Sequence, residues 1–340
     1  MKQQRIFYLD FIRGLSTLLI LFYHFSVSLL SLNIDVPIPL LNSHANGTFG
    51  HMGVSLFFII SGAALMYTYD NHLDVITFYK KRFLSLFPMF WIGYLLCCIW
   101  FQVIHRLPFA PLPKWRFIFT LFGMDGYLAS VTPTFYQIGE WFLGCIILLY
   151  IIFPLLRFLM KKYPKQLPFI IFPLFIVYVV CYPFSNMILD RDFIVRIPDL
   201  LFGMYFITYI KRVNISTGII SFIILMIFLL IPIPMLEIFK IDIIGVSTFL
   251  LLVYVAQFLK NNYIIYCFRT ISKYSYAIFL VHHIVMVQFL NYFSNQILSI
   301  GKFMIVFIET VFLILIFTLF LYKLNNLIVN RFLAYLKNHK

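Results

Sequence analysis

The sequence predicts an all-α, polytopic membrane protein of about ten transmembrane helices with both termini in the cytoplasm. Three observations lead there. The 340 residues are 63% hydrophobic and only 11% charged, whereas soluble domains carry roughly 25% charged residues. No water-soluble core could bury so much apolar side chain, so lipid must solvate most of it. The apolar residues also fall in runs of membrane-spanning length, and the basic residues sit in short clusters between those runs.

Breaks at charged, Pro- and Asn-rich segments divide the chain into ten spans, at 7–32, 51–69, 84–104, 136–158, 167–184, 197–210, 216–232, 241–259, 274–292 and 304–323. The sixth is shorter than the ~20 residues a spanning helix needs. A cytoplasmic N-terminus places most of the 26 Lys and Arg residues on one face. The opposite face then keeps only Arg106, Lys114, Arg116, Arg191, Arg196, Lys240 and Lys302. Positive charge concentrates on cytoplasmic loops, which sets the orientation. The net charge of +14 does not indicate nucleic acid, because no soluble basic patch interleaved with aromatics is present. It suits anionic lipid or an anionic cofactor.

The start of the chain is expected to be a retained first helix. Lys2 and Arg5 precede an apolar run as in a signal sequence, but Asp10 and Arg13 interrupt it and no small-residue cleavage site follows. The loop 105–135, with Trp115, Phe117, Phe119 and Phe122, is expected to lie along the membrane interface. Residues 1–340 read as one membrane-embedded domain without a fixed-period repeat. Cys97, Cys98, Cys145, Cys181 and Cys267 show no metal-ligand spacing and read as small buried hydrophobes. No metal is expected.

Four segments hold polar groups where apolar ones would be cheaper. In the first helix, YLDFIRGLSTLLILFYHF, the eleven residues from Arg13 to His24 turn the helix back to within about 20° of the same face. Asp10 and Arg13 have the spacing of an ion pair. Asp10, Arg13 and His24 therefore form one stripe, with Thr17 above Arg13, and it rises about 16 Å from Arg13 to His24, roughly half the hydrocarbon thickness. Arg13 either snorkels to the cytoplasmic headgroups or takes part in chemistry. His24, ionisable and deep, is placed to accept a proton from a hydroxyl.

In the second segment, 78–91, Lys80, Lys81 and Arg82 abut a helix expected to start at Leu84 and to contain Pro88. They are either a membrane anchor or a seat for phosphates. In the third, 133–154, Glu140 beside Trp141 suits sugar recognition through hydroxyl hydrogen bonds and ring stacking, or else is part of an interfacial aromatic belt. In the fourth, 272–286, His282 and His283 stand 100° apart on one helix. One is expected to be functional or inter-helical and the other incidental.

These segments in this order resemble the acyltransferase-3 family of membrane acyltransferases. The likeness lies in L-D-x-x-R-G followed by His24 with ten residues between it and Arg13, GVSLFFIISG (53–62) and the basic-F-L-x-x-F-P-x-F-W segment (81–91). It continues through GEWFLGCIILLYIIFP (139–154), RIPDLLFG (196–203) and YSYAIFLVHH (274–283). The resemblance implies ten helices and an acyl donor, usually acetyl-CoA, entering from the cytoplasm. The acceptor is then a hydroxyl of a cell-envelope glycan. It makes His24 the base or acyl carrier, supported by Asp10 and Arg13, with Arg13, Lys81 and Arg82 toward CoA and Glu140, Trp141 and His282 toward the sugar. The family often has a second arginine three residues after the first in helix 3; here Ser85 follows Arg82 at that spacing. The chain also ends at Lys340 without the extracytoplasmic hydrolase-like domain of some members, as a stand-alone enzyme at the plasma membrane would. The rival reading is a transporter or flippase for a lipid-linked sugar; a third is a non-catalytic conduit for the acyl group.

Overall fold

In the computed structural model the described residues are 5–40, 42–182 and 187–338, so Lys2 and Lys340 lie outside them. Helix dominates. Seven helices are long and apolar enough to cross a membrane: Phe7–Ser31, Phe49–Tyr69, Val75–Ile104, Trp141–Lys162, Glu237–Ala256, Asn262–Phe293 and Ile300–Tyr335. Gln166–Cys181 and Ile215–Leu230 are shorter apolar helices. The expected sixth span, 197–210, is an α-helix over Ile197–Tyr205 continued by a π-helical turn, Phe206–Ile210. In chain order the α-helices are α1 (Phe7–Ser31), α2 (Phe49–Tyr69), α3 (Val75–Cys98), α4 (Phe117–Leu121), α5 (Asp125–Leu128), α6 (Trp141–Lys162) and α7 (Gln166–Cys181). They continue as α8 (Ile197–Tyr205), α9 (Ile215–Leu230), α10 (Glu237–Ala256), α11 (Asn262–Leu290) and α12 (Ile300–Asn338).

Three helices extend beyond the bounds that hydropathy suggests. α3 starts at Val75, not Leu84, so Lys80, Lys81 and Arg82 lie within the helix and do not abut it. α11 starts at Asn262, not 274, which puts His282 and His283 in its last third. α12 runs to Asn338, about 58 Å against a hydrocarbon core of about 30 Å. Hydropathy reports only the part of a helix that lipid solvates, and Lys- and Tyr-containing turns outside it remain helical because their backbone preference allows it. The cysteine expectation also needs correction: Cys145 is buried, but Cys181 is exposed and the other three are intermediate.

The chain divides into two compact units. The first comprises residues 1–24, 41–75 and 145–273, and the second 25–40, 76–144 and 274–340. In the first unit, α2 is started by Thr48, whose side chain accepts from the His51 amide at 3.1 Å. It is ended by Arg157, which donates to the carbonyls of Tyr69 (2.6 Å) and Asp70 (2.9 Å). These bonds satisfy backbone groups that a helix end leaves open. α2 packs on α8 at the closest approach available to helices. A Cβ on Gly62 would lie 2.0 Å from the Leu200 carbonyl oxygen, and one on Gly203 would lie 1.9 Å from that of Ile59. Small residues at both crossing points let the backbones touch. Around them Ile12, Leu56, Ile59, Ile60, Phe206 and Phe249 form the buried core. Both Asn-x-Ser/Thr sites are structural. Asn46 is 4% exposed and donates to the Phe228 and Ile231 carbonyls (2.6 and 2.7 Å), and Asn214 caps α9 through the Thr217 amide at 2.8 Å.

In the second unit, side chains pin loops to helices. On α3, Trp91 Nε1 donates to the Leu121 carbonyl (3.1 Å) and Tyr94 Oη to that of Phe135 (2.7 Å). Arg116 donates to Thr132 Oγ1 (2.7 Å) and to the Pro133 carbonyl (2.5 Å). Residues 32–35 pair with 295–298 through Asp35 (N to Gln296 O, 3.0 Å; O from Leu298 N, 2.9 Å). The segment expected along the interface breaks into a 3-10 turn (Lys114–Arg116), α4 and α5, and leaves Trp115, Phe117 and Phe122 exposed.

Candidate active site

The helix-1 stripe lies in the first unit. Asp10, 5% exposed, accepts two hydrogen bonds from Arg5, Nε to Oδ2 (2.5 Å) and Nη2 to Oδ1 (2.7 Å), and one from Ser272 Oγ (2.7 Å). The Arg5 guanidinium is held still more firmly charged, chiefly by that hydrogen bond to Asp10. Asp10 thus ties the start of α1 to α11. Next to Arg13, Gly14 leaves room for the Phe268 ring, 2.7 Å from where a Cβ would stand. Arg13 is half-buried, and its carbonyl accepts from Thr17 Oγ1 at 2.8 Å. Three turns on, His24 is half-buried, its ring edge-on to that of Tyr23 with centroids 5.2 Å apart. Tyr23 in turn packs over Gly50 of α2, within 2.6 Å of its would-be Cβ.

A second ionisable group in this unit escaped the sequence reading. His51 Nε2 lies 2.9 Å from Asp190 Oδ2, and Nδ1 lies 3.8 Å from Glu237 Oε1. Burial alone would raise the Asp190 carboxyl. The hydrogen bond from His51, with the charges of His51, Arg196 and Arg191, holds it below its ordinary value. The partners are about 140 and 190 positions away in the chain, beyond any helical spacing that could have exposed them.

In the second unit Glu140 stands immediately before α6. Its backbone bridges Gly126, where even a methyl group would meet Gly139 O at 2.5 Å and the Glu140 carbonyl carbon at 2.6 Å. Gly139 turns the chain there with φ +76°. Glu140 Oε1 lies 3.7 Å from His283 Nδ1. Trp141, half-buried, begins α6. His283 opens onto a cavity of about 410 Å³ whose walls include Phe101, Gln102, Phe109, Phe135, Tyr136, Gln137 and Gln288. Gln137 Nε2 donates to Gln102 Oε1 at 3.3 Å. Of the tandem histidines the cavity is lined by His283, and not by His282. The latter is buried, with Nδ1 2.8 Å from the Phe279 carbonyl and 3.1 Å from that of Ile278. Elsewhere in this unit, burial lifts the Asp125 carboxyl to about 6, against a smaller opposing pull from Thr120.

The acyltransferase domain family model matches residues 6–323. The chain belongs to the acyltransferase-3 family. It is accordingly a multi-pass membrane acyltransferase. Comparison with curated proteins and with solved structures returned no match. Within this acyltransferase, the segments that carried the resemblance fall on α1, α2, α3, α6, α8 and α11. On α3 Lys81 is exposed and Arg82 half-buried. Ser85, at the place of the family's second arginine, donates to the Arg82 carbonyl at 2.8 Å, so it serves the helix backbone and brings no charge.

Proposed function

We propose that this acyltransferase moves an acetyl group from acetyl-CoA to a sugar hydroxyl of a bacterial cell-surface polysaccharide or its lipid-linked precursor, working in the plasma membrane with both termini cytoplasmic. The observation that carries this reading is family membership joined to His24, an imidazole kept within a membrane helix three turns beyond Arg13. An ionisable side chain at that depth is costly unless it does chemistry. His24 takes the proton of the sugar hydroxyl. The alkoxide oxygen forms a bond to the thioester carbonyl carbon, the C–S bond breaks, and the thiolate of CoA leaves with the proton returned by the imidazolium. An acyl-imidazole on His24 is the two-step version of the same transfer. Arg13, Lys81 and Arg82 serve the phosphates of CoA, Lys and Arg being suited to charge-assisted bonds. Asp10 positions α1 through Arg5 and Ser272.

On the acceptor side, the second unit's cavity supports a sugar. Aromatic walls give faces for ring stacking, and the amides of Gln102, Gln137 and Gln288 with His283 and Glu140 offer donors and acceptors for hydroxyls. The decisive experiment is His24→Ala in cells, with O-acetyl content of surface glycan read by NMR. The enzyme reading predicts polymer of normal amount without acetyl groups. Unchanged acetylation, or acetylated polymer that fails to reach the surface, would sink it and favour transport.

A further inference from the structure

Around the buried Arg196 the first unit packs more carboxyl groups than that guanidinium balances. Arg196 is fully buried between α2 and α8. Its Nε and Nη2 both donate to the Asp190 carbonyl (2.9 and 2.5 Å), and it lies 5.8 Å from the Phe58 ring centre. Its Nη1 stands 3.7 Å from Asp199 Oδ2. That same oxygen accepts from Ser55 Oγ at 2.8 Å. Asp199 is 1% exposed, and its other oxygen, Oδ1, has no hydrogen-bond partner among the described residues. Gly245 brings α10 against this point: a Cβ there would lie 2.6 Å from Ser55 Cβ and 3.7 Å from Asp199 Oδ1. One turn earlier on α10 stands Asp242, close enough to feel the Asp199 and Arg196 charges. Its Oδ1 is also buried and without a partner among the described residues.

The other carboxylates nearby already have hydrogen-bond or ionic partners. The Asp190 carboxylate is paired with His51. That of Asp192 accepts from Tyr178 Oη and from the Ile194 amide. Cys145 of α6, also buried, lies close enough to feel the charges of Arg196, Asp192 and Asp199. Arg196 thus answers for two carboxyls, Asp199 and Asp242. Were both ionised, one charge would stand uncompensated among packed helices, an arrangement that proteins avoid by neutralising the group.

We propose that Asp199 and Asp242 form a proton-binding site, sharing one exchangeable proton so that Arg196 faces a single negative charge. Two carboxyls that cannot both ionise hold a proton between them, and carboxyls within membrane helices serve as proton stores and relays. Asp242 is the door. Its side chain is partly exposed while Asp199 is sealed, so the proton enters and leaves through Asp242.

This site stands apart from the acyl-transfer reading, and its test needs no acyl donor or acceptor. The full chain in lipid nanodiscs in potassium buffer at neutral pH is examined by infrared spectroscopy for the C=O stretch of protonated carboxyls. The wild type is expected to show such a band, shifted in D2O. Both Asp242→Asn and Asp199→Asn are expected to lose the amplitude of one carboxyl, because one guanidinium then faces one carboxylate. Gel filtration checks that each variant is folded; if one is not, the other decides. No protonated-carboxyl band in the wild type, or undiminished amplitude in a folded variant, would overturn the proposal. So would loss of the band when sodium replaces potassium, which would mark a sodium site.

Discussion

The two units handle polar groups differently. The first seals the most closely knit set: Arg196, Asp199, Ser55 and Asp10 are all buried, and α2 and α8 meet backbone to backbone at Gly62 and Gly203. The second buries some, Asp125 and His282 among them, but sets others at a surface. His283 is 44% exposed on its cavity wall, the amides of Gln102 and Gln137 line the same space, and hydrogen bonds from Trp91, Tyr94 and Arg116 stitch loops into place. Tight packing and buried charge make a rigid frame, whereas a cavity bordered by stitched loops can admit a ligand. The contrast makes the first unit the frame and the second the one that can admit a ligand; under the proposed function that ligand is the acceptor, and His24 is the first unit's chemical contribution.

The largest effect that would break this division is at His24. Alanine there is expected to lower acyl transfer by roughly 10²–10⁴-fold, the usual contribution of a general base, measured with purified protein and acetyl-CoA; a change below threefold would remove it from the chemistry. Next is the frame itself. Gly203→Ala forces a methyl group onto the Ile59 carbonyl, a backbone atom that cannot swing away. Overpacking of this kind costs about 1–3 kcal/mol or more, so a clear fall in melting temperature is expected, and an unchanged one would show the helices free to part. A subtler change separates the units by function. Gln137→Leu keeps bulk but removes the amide from the cavity, and is expected to raise KM for the glycan acceptor about tenfold with acetyl-CoA KM unchanged, as the loss of roughly one hydrogen bond implies. Equal effects on both substrates would contradict an acceptor site.

The smallest expected effect is at Asp125. Its folded-state value of about 6 lies above the ordinary 3.8, so the folded state prefers the protonated form. The stability associated with that proton is fully present below the ordinary value and is lost as pH rises through about 6. Asp125→Asn should therefore stabilise the protein at neutral pH, by about 1–2 kcal/mol after allowance for solvent screening, and flatten the melting temperature between acidic and neutral pH. A steeper pH dependence in the variant would refute this.

Much of the architecture was legible in the residues. Long apolar runs marked the helices, and the polar stripe of α1 could be placed by helical geometry alone, because Asp10, Arg13 and His24 share one segment. What could not be read was anything that joins distant segments. Asp10 spends its carboxylate on Arg5 and Ser272, and the latter lies at the far end of the chain. His51 with Asp190, and Gln102 with Gln137, are likewise products of packing. For the tandem histidines, only the packing of α11 decides which ring meets the cavity and which is buried with Nδ1 against its own backbone carbonyls. Helix starts were misplaced where basic turns continue a helix beyond the lipid.

The α2–α8 contact bears on how the chain is made. Helices that meet through Gly62 and Gly203 are separated by roughly 140 residues of synthesis, about 7–28 s at about 5–20 residues per second. Throughout that interval α2 sits in the bilayer without its closest neighbour, its glycine-lined side facing lipid or the insertion machinery. Chains released before Ile197 would keep that side open, which makes them natural clients for membrane quality-control proteases, and full-length synthesis the event that closes it.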